Sequence, residues 1–483
     1  MTLTRILNHR VLCSLCLLYC TLHPHQQIQA ETEKPNVLFI SVDDLNDWAG
    51  YLGGHPNAKT PNIDRLAQSG SAFTNTYCAA PACGPSRAAL MTGVLPSNSG
   101  VYFNQDDWRV APRLKGIKTI PESFRDNGYK TLGSGKIFHG PHFDIERWDE
   151  YWPEDRQTPK DRNRPPKELK HKMGGQAAKG NFNWGPTKNS IEKMGDFQVT
   201  EYVCSALKKD HHKPFFLGCG IFRPHLPWFV PKEYFDRFPL NEIKLPKVLE
   251  NDTDDLPPAA FEFIGDYGPS SDKGKNDDHP RLLKHGKWKH AVQAYLACIA
   301  FADDCVGRVL DTLKNSKYHD NTIVILWSDH GWNLGEKTHW RKFALWEDTA
   351  RCNLILKMPG QSKGQSIKAP VGLIDIFPTL LDLCGLPANK NNDGLSLKAL
   401  MENPNTSWQR PALTTYGKNT HALRSKKWRY IHYEKGDEEL YNHETDPSEW
   451  TNLASNPEYT SVLKKMRDML PKTNVDRMPH RKK

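Results

Sequence analysis

After its first 30 residues, the 483-residue sequence contains no apolar run long enough to cross a bilayer. The stretch over residues 11–22 is apolar, but it is too short for a stable membrane helix. It follows two arginines and precedes an acidic segment. This order predicts a secretory signal over residues 1–30, and hence a secreted or periplasmic protein without a transmembrane segment. Lipoprotein anchoring is not expected, because the bulky Tyr19 precedes Cys20.

The sequence also lacks a cysteine framework. Three of its 11 cysteines fall in the predicted signal, and the others are scattered without the spacing of a disulfide-rich fold or a zinc site. Several of them occupy apolar runs and are expected in the core, namely Cys219, Cys298, Cys352 and Cys384.

No nucleic-acid-binding motif accompanies the basic residues of the chain. Lysine and arginine number 65 against 56 aspartates and glutamates, which gives a formal net charge of +9. This balance suits a polyanionic substrate, although it also suits nucleic acid or a merely solvated surface. The basic run at residues 160–179 contains prolines and glycines, and we interpret it as a loop over a cleft. We therefore expect no nucleic-acid partner.

Two apolar segments each end in charged or metal-binding side chains. Residues 35–42 read as a buried parallel strand followed by Asp43 and Asp44, and residues 322–328 read as another followed by Asp329 and His330. Strands of an α/β sheet deliver such side chains to one edge, where ligands bind. Either pair alone would fit a helix cap or a solvated turn. Together they predict a divalent-metal site.

A third segment begins with Cys83, Gly84, Pro85, Ser86 and Arg87. Pro85 is tolerated in the first turn of a helix, and the residues after it can continue that helix. Cys83 would then lie at a helix N-terminus, which favours anions. Arg87, one turn later, could reach the same site or a nearby carboxylate. On its own the pattern would also fit a buried or redox cysteine beside a turn.

Further motifs lie between and after these segments. Together the set resembles the type I sulfatases of the alkaline phosphatase superfamily, and within that family the chain is most similar to the iduronate 2-sulfatases. The resemblance spans residues 35–385 and recurs in the C-terminal part. Its motifs are Asp43-Asp44, residues 60–64, the Cys83 segment, and residues 135–139, 223–227, 328–336 and 341–343.

The resemblance implies that a formylglycine-generating enzyme oxidises Cys83 to formylglycine. The hydrated aldehyde would attack sulfur with one hydroxyl, and the second would later expel sulfate, which divides a difficult displacement into two easier steps. Calcium would be bound by the residue at position 83 together with Asp43, Asp44, Asp329 and His330. Most sulfatases carry asparagine where this chain has His330, and a nitrogen ligand leaves room for Mg²⁺.

The resemblance also implies roles for cationic residues around the cleft. Lys136 and Lys342 would stabilise the charge of the sulfate in the transition state. His225 would donate a proton to the leaving group, and His139 would accept the proton released when the aldehyde reforms. Without its motif, each residue would more often be a surface or structurally bonded side chain. Trp332, beside the metal ligands, is expected to offer a sugar an aromatic face.

One position departs from the family pattern. The signature usually continues Thr-Gly-Arg, whereas Val94 follows Thr92 and Gly93 here. The resemblance implies that this arginine assists maturation or local helix packing in relatives, so the efficiency of cysteine oxidation is the property that Val94 would alter.

Alternating strands and helices predict an α/β fold with a large, mostly parallel sheet flanked by helices, similar to alkaline phosphatase. One such helix is expected over residues 290–315 from its apolar stripe. We assign residues 31–390 to the catalytic domain. Residues 391–483 are assigned to a smaller C-terminal subdomain, in which residues 428–441 predict an antiparallel hairpin.

The sequence therefore predicts a secreted, calcium-dependent sulfatase that acts on a sulfated sugar, with a 2-sulfated uronate at a glycan chain end as the expected substrate. Two alternatives remain open at this point. One is a formylglycine-dependent phosphonate or phosphate monoester hydrolase of the same superfamily. The other is a carbohydrate-binding relative that has lost the chemistry.

Overall fold

The computed structural model describes residues 34–154, 181–264 and 278–479. The predicted signal at residues 1–30 and the basic run at 160–179 lie outside these ranges. The strands are β1 (Asn36–Val42), β2 (Ser71–Phe73), β3 (Thr76–Tyr77), β4 (Lys130–Gly135), β5 (Glu150–Trp152), β6 (Trp184–Thr187), β7 (Phe215–Ile221), β8 (Trp228–Pro231), β9 (Thr322–Ser328), β10 (Asn333–Leu334), β11 (Trp340–Arg341), β12 (Arg351–Cys352), β13 (Leu354–Lys357), β14 (Gln365–Ile367), β15 (Val371–Gly372), β16 (Ala412–Thr415), β17 (His421–Arg424), β18 (Trp428–His432) and β19 (Glu438–Asn442). The α-helices are α1 (Pro61–Ser69), α2 (Cys83–Thr92), α3 (Pro96–Ser99), α4 (Ile120–Asp126), α5 (Gly195–Lys208), α6 (Lys232–Asp236), α7 (Asp278–Lys284), α8 (Trp288–Lys314), α9 (Glu347–Ala350), α10 (Ile376–Leu383), α11 (Lys398–Glu402) and α12 (Thr460–Asp468).

A large mixed sheet lies at the centre of the fold. Within the described ranges it has eight strands in the order β14-β2-β13-β9-β1-β7-β4-β5. The run from β9 to β5 is parallel, whereas β13 pairs antiparallel with both β9 and β2. Every residue of β1 and β9 is buried, as expected of apolar strands that are covered on both faces. The predicted large, mostly parallel sheet is confirmed.

The parallel pairing of β1 and β9 brings their acidic ends together. Val42 lies opposite Ser328, so Asp43 and Asp329 follow at the same edge of the sheet. The Asp44 N–H donates to the Asp329 carboxylate at 3.1 Å. Asp44 has φ 58°, a left-handed conformation that aspartate tolerates better than most side-chain-bearing residues. The two charged segments therefore converge, as the sequence predicts.

Helices cover both faces of the sheet and create two hydrophobic cores. On one face of the sheet, α8 contributes buried residues such as Val292 and Ile299, which belong to its apolar stripe. On the other face, α2 and α10 contribute Leu90 and Phe377. The helix predicted over residues 290–315 is confirmed as α8. The site described below lies where α2 approaches the acidic ends of β1 and β9.

The C-terminal part forms a second, smaller sheet. Strands β16 to β19 are antiparallel, and β18 with β19 is the predicted hairpin. The buried Arg429 of β18 donates to the Leu345 carbonyl at 3.0 Å and pairs with Glu347, which ties this sheet to the rest of the fold. The described residues from Lys34 onward belong to one compact unit. The domain boundary after residue 390 remains a prediction.

All eight cysteines in the described ranges are buried and free, including the four predicted to lie in the core. In the same ranges, no helix has the length and apolar character needed to cross a membrane.

Candidate active and metal site

Cys83 is the first residue of α2 and is fully buried. Ala82 provides no side-chain cap for this helix. Instead, the Gly84 N–H donates to Asn104 Oδ1 at 2.7 Å, and Ser86 Oγ donates to the Asp329 carbonyl at 2.6 Å. These bonds fix the start of α2 against the end of β9. The predicted position of Cys83 at a helix N-terminus is confirmed.

Charged side chains surround the Cys83 sulfur. Lys342 Nζ lies 2.8 Å from Sγ, and Lys136 Nζ lies 3.6 Å away. His330 Nε2 is at 3.3 Å, and Asp44 Oδ1 is at 3.7 Å. Burial raises the pKa of the Cys83 thiol well above its ordinary value, despite the two lysines. The thiol is therefore protonated at neutral pH, when it is a poor nucleophile.

Arg87 connects two of the buried carboxylates. Its Nη2 donates to Asp43 Oδ1 and its Nε donates to Asp329 Oδ2, both at 2.9 Å, and none of these side chains is exposed. Its Nη1 also donates to the Lys136 carbonyl at 2.6 Å. Arg87 thus takes the second of its expected partners, a nearby carboxylate. These contacts link α2, β1 and the ends of β4 and β9.

The donor atoms at this edge are suited to a divalent cation. Ligand atoms of Asp44, Cys83, Asp329 and His330 lie within 4.8 Å of one another, as do those of Asp43, Asp44, Cys83 and His225. Asp44 Oδ2 is buried without a hydrogen-bond partner. His330 Nδ1 donates to the Gly331 carbonyl at 2.9 Å, which leaves Nε2 with a lone pair directed at the cluster.

The pKa values of the three aspartates differ: burial opposes the ionised form of Asp329 too, but Arg87 and the other nearby cations hold its pKa well below the usual range. Burial raises the pKa of both Asp43 and Asp44, although Lys136 and Lys342 oppose this shift. A carboxylate in such a place is stabilised when a cation shares it. Oxygen donors with one imidazole fit calcium and also admit magnesium.

The two lysines each pair with one aspartate and lie over an aromatic ring. Lys136 pairs with Asp43 and lies 5.3 Å from the centroid of the Phe222 ring. Lys342 Nζ lies 2.7 Å from Asp44 Oδ1. Burial alone would lower the pKa of Lys342, but Asp44 and the neighbouring anionic groups raise it above its ordinary value. The ammonium beside Cys83 therefore remains charged at all working pH values.

His225 and His139 are neutral at neutral pH. His225 Nδ1 donates to the Leu226 carbonyl at 2.6 Å, and Nε2 faces Asp44 Oδ2 at 3.8 Å. Burial, followed by Lys136 and Lys342, lowers the pKa of both imidazoles well below its usual value. The side chain of His225 is 24% exposed, so an incoming ligand can reach it.

Trp332 does not offer the aromatic face that the sequence predicts. Its side chain is 2% exposed and packs against Tyr295 and Trp228. Lys342 Nζ lies 5.4 Å from its ring centroid. The predicted contact between Trp332 and a sugar is therefore wrong. The ring is enclosed by other aromatic residues and packs against Lys342 instead of facing a ligand.

Asn104 and Tyr295 also belong to the site, although the sequence does not predict it. Asn104 caps α2, and the Tyr295 hydroxyl donates to the Asp44 carbonyl at 2.7 Å. Tyr295 is part of the apolar stripe of α8, where an aromatic residue is typical of a core position. Neither residue lies in a motif, so no sequence signal distinguishes it.

The sequence of this chain matches two models of known protein families. A family model described as sulfatase matches residues 35–386, and one described as the C-terminal part of N-sulphoglucosamine sulphohydrolase matches residues 335–476. The chain belongs to the sulfatase family. It is accordingly a sulfuric ester hydrolase, with the alkaline phosphatase-like fold that the sequence predicts.

Two relatives illustrate the range of this sulfatase's similarity. It is 41% identical over 491 residues to a protein named sulfatase from Formosa agariphila, covering 96% of this chain and 92% of that one. It is 30% identical over 403 residues to iduronate 2-sulfatase of Mus musculus, covering 75% and 70% of the respective chains. A solved phosphonate monoester hydrolase of Agrobacterium radiobacter shares the fold with a TM-score of 0.73, at 23% identity over 90% of this chain and 95% of its own.

Proposed function

We propose that this sulfatase removes sulfate from a sulfated sugar by means of a formylglycine formed from Cys83. The arrangement of Lys342, Lys136, His330 and Asp44 within 3.7 Å of the Cys83 sulfur is the observation that carries this proposal. The sulfur occupies the place where a hydroxyl of the hydrated aldehyde would lie. Formylglycine would supply there the oxygen nucleophile that a neutral, buried thiol cannot provide.

The residues around position 83 have distinct proposed roles. Lys136 and Lys342 would hold the sulfate oxygens and stabilise the charge that they carry in the transition state. Arg87 keeps Asp43 and Asp329 in place. His225 would take up a proton at Nε2, which faces Asp44, and pass it to the leaving sugar oxygen, and His139 would accept a proton from position 83.

A divalent cation, with calcium preferred, would be bound by Asp43, Asp44, Asp329, His330 and the oxidised side chain of residue 83. The buried, unpartnered Asp44 Oδ2 supports this assignment, as does His330, whose Nε2 faces the Cys83 sulfur and the carboxylates. The ion would supply positive charge beside the nucleophile.

For the substrate, we propose a 2-sulfated uronate at the end of a glycan chain. The support is the similarity to iduronate 2-sulfatase, which is 30% identical to this chain over 403 residues. The predicted signal would place the enzyme outside the cytoplasm, where such glycans occur, and a formylglycine-generating enzyme would act on it during maturation.

The test measures initial rates of sulfate release from a panel of defined oligosaccharides. The panel contains uronate 2-sulfates, glucosamine sulfates, and neutral galactose and fucose sulfates. The proposal expects the highest kcat/KM on the terminal uronate 2-sulfate. Release of sulfate only from the neutral sugar sulfates would contradict the proposed substrate, although the protein would still be a sulfatase.

A phosphonate or phosphate monoester hydrolase is the second candidate, because a solved enzyme of that activity has the same fold. Fold alone does not assign the leaving group. Paired aryl sulfate, aryl phosphate and aryl phosphonate substrates with one common leaving group decide between the two. The proposal expects faster turnover of the sulfate, and a faster phosphonate reaction would reverse the assignment. Any turnover by the purified wild type, absent in Cys83→Ala, also excludes a purely carbohydrate-binding protein.

A further inference from the structure

Lys342 lies in a backbone segment that is far from relaxed. The residues on either side of it, Arg341 and Phe343, have φ 76° and φ 80°. Bulky side chains rarely adopt this left-handed conformation, which costs free energy and persists only where surrounding contacts enforce it. The position of the Lys342 ammonium, 2.8 Å from Cys83 Sγ, thus depends on whatever holds the two neighbours.

Arg341 is held by a buried aspartate at the start of α7. Its Nε and Nη2 both donate to Asp278 Oδ2, at 3.0 and 2.9 Å. The Asp278 side chain is fully buried and that of Arg341 is 7% exposed. Arg281 Nη1 donates to the other oxygen, Oδ1, at 3.0 Å. The Arg341 guanidinium also lies 4.9 Å from the centroid of the Phe182 ring.

The neighbouring contacts converge on the same short segment. Trp340 Nε1 donates to His279 Nδ1 at 3.0 Å, so α7 holds two successive residues before Lys342. His339 Nε2 donates to the Lys342 carbonyl at 2.9 Å, and the Phe343 N–H donates to the Pro81 carbonyl at 3.0 Å. Of these contacts, the one between Asp278 and Arg341 joins two opposite charges that are almost fully buried, so removal of either charge leaves the other without this compensation.

We propose that Asp278 is a positioning residue for Lys342, acting through Arg341. This inference rests on the proposed function, because it assumes that Lys342 binds the sulfate group. Loss of the Asp278 charge weakens the hold on the guanidinium and makes the left-handed conformation of Arg341 harder to maintain. The following ammonium then moves away from position 83. A displacement of about 1 Å at a catalytic group lowers turnover by roughly 100-fold.

A double-mutant cycle tests whether Asp278 acts through Lys342. We compare kcat and KM on one sulfate ester for four proteins in which residue 83 has been oxidised to formylglycine. These are the wild type, Asp278→Asn, Lys342→Ala and the double variant. The melting temperature of each is measured in parallel. We expect Asp278→Asn to lower kcat by 10- to 100-fold in the wild-type background, and by less than about twofold in the Lys342→Ala background. Its effect on melting temperature should be equal in both.

Two further variants keep the test decisive. Arg341→Lys keeps the charge but loses the paired donors, so it should lower kcat in the same direction as Asp278→Asn and carry the test if that variant folds poorly. The control is Asp303→Asn, which removes a buried carboxylate that accepts hydrogen bonds from the Asn62 and Ile63 N–H groups, away from this segment. The control should lower the melting temperature and leave kcat unchanged.

Equal losses of kcat from Asp278→Asn in both backgrounds would overturn the proposal, because the aspartate would then act independently of Lys342. Unchanged kcat in both Asp278→Asn and Arg341→Lys would also overturn it. A different pattern marks failure of the proposed function itself. In that case the wild type releases no sulfate, or Lys342→Ala is as active as the wild type.

Discussion

Arg87 donates a hydrogen bond to Asp43 at 2.9 Å with both side chains completely excluded from solvent. The same guanidinium reaches Asp329 on the neighbouring strand. The helix that presents Cys83 is thereby joined to both acidic strand ends, so Arg87 adds to the Gly84 and Ser86 hydrogen bonds that fix position 83. The planar guanidinium donates to two carboxylates at once, which the single ammonium of a lysine does less well.

Replacement of Arg87 by methionine is expected to destabilise the protein by about 3–5 kcal/mol, because Asp43 and Asp329 would remain buried without this partner. Arg87→Lys should recover part of the loss. Denaturant unfolding monitored by tryptophan fluorescence measures both. A change below about 1 kcal/mol for the methionine variant would show that other cations compensate for the arginine.

Cys83→Ala should lower kcat by at least about 10³-fold, because it removes the nucleophile, and should preserve the melting temperature within a few degrees. Mass spectrometry of the peptide containing residue 83 provides the companion measurement. We expect it to show formylglycine in active wild-type enzyme. Full activity with an unmodified cysteine would contradict the proposal.

The acidic edge of the sheet could be predicted because its signals are local. The apolar runs before Asp43 and Asp329 each read as a buried strand, and parallel strands place their carboxyl ends at the same edge. The register of Val42 opposite Ser328 then fixes their proximity. The location of Cys83 at a helix start follows from Pro85 in the first turn.

The surroundings of Lys342 could not be predicted in this way. The contact of Arg341 with Asp278 joins residues separated by 63 positions, and neither lies in a pattern that reveals the partner. The burial of Trp332 depends on Tyr295 and Trp228, which come from other elements. Positive φ at Arg341 and Phe343 is likewise a product of tertiary contacts, since propensity disfavours it.

Removal of the proposed cation should lower activity and stability together. Asp44→Asn is expected to bind less metal and to lose most turnover, because it removes charge from the carboxylate with the unpartnered oxygen. Elemental analysis and melting curves with and without added calcium measure this. The control Asp375→Asn alters a buried carboxylate that accepts from the Leu395 N–H, and it should retain the metal. Equal metal content in Asp44→Asn and wild type would contradict the assignment.

Oxidation of Cys83 is expected to precede folding, because the cysteine is fully buried at the start of α2. Folded, unmodified protein treated with a formylglycine-generating enzyme should remain unmodified. A synthetic peptide that spans residues 78–95 should be converted, and replacing Val94 by arginine in that peptide tests whether this departure from the family pattern slows the reaction. Equal conversion of the folded protein and the peptide would show that α2 opens readily.

A final prediction concerns the dependence of stability on pH. Burial lowers the pKa of His421 to about 4, against a smaller raising influence of Asn474. His421 is 1% exposed in β17, where Nδ1 lies 3.0 Å from Thr415 Oγ1.

Because the folded-state pKa is below the unfolded value of 6.5, the unfolded chain binds this proton first as the pH falls. Stability should therefore be lost below pH 6.5, by about 1.4 kcal/mol per pH unit for this group, until the pH reaches its folded-state pKa. Denaturant unfolding at several pH values between 7.5 and 5 measures this. As the pH falls, the free energy of unfolding should decrease less steeply for His421→Leu than for wild type, and the difference in slope should correspond to the uptake of at most about one proton on unfolding. Identical slopes for the two proteins would show that the imidazole is accessible to protons in the folded state.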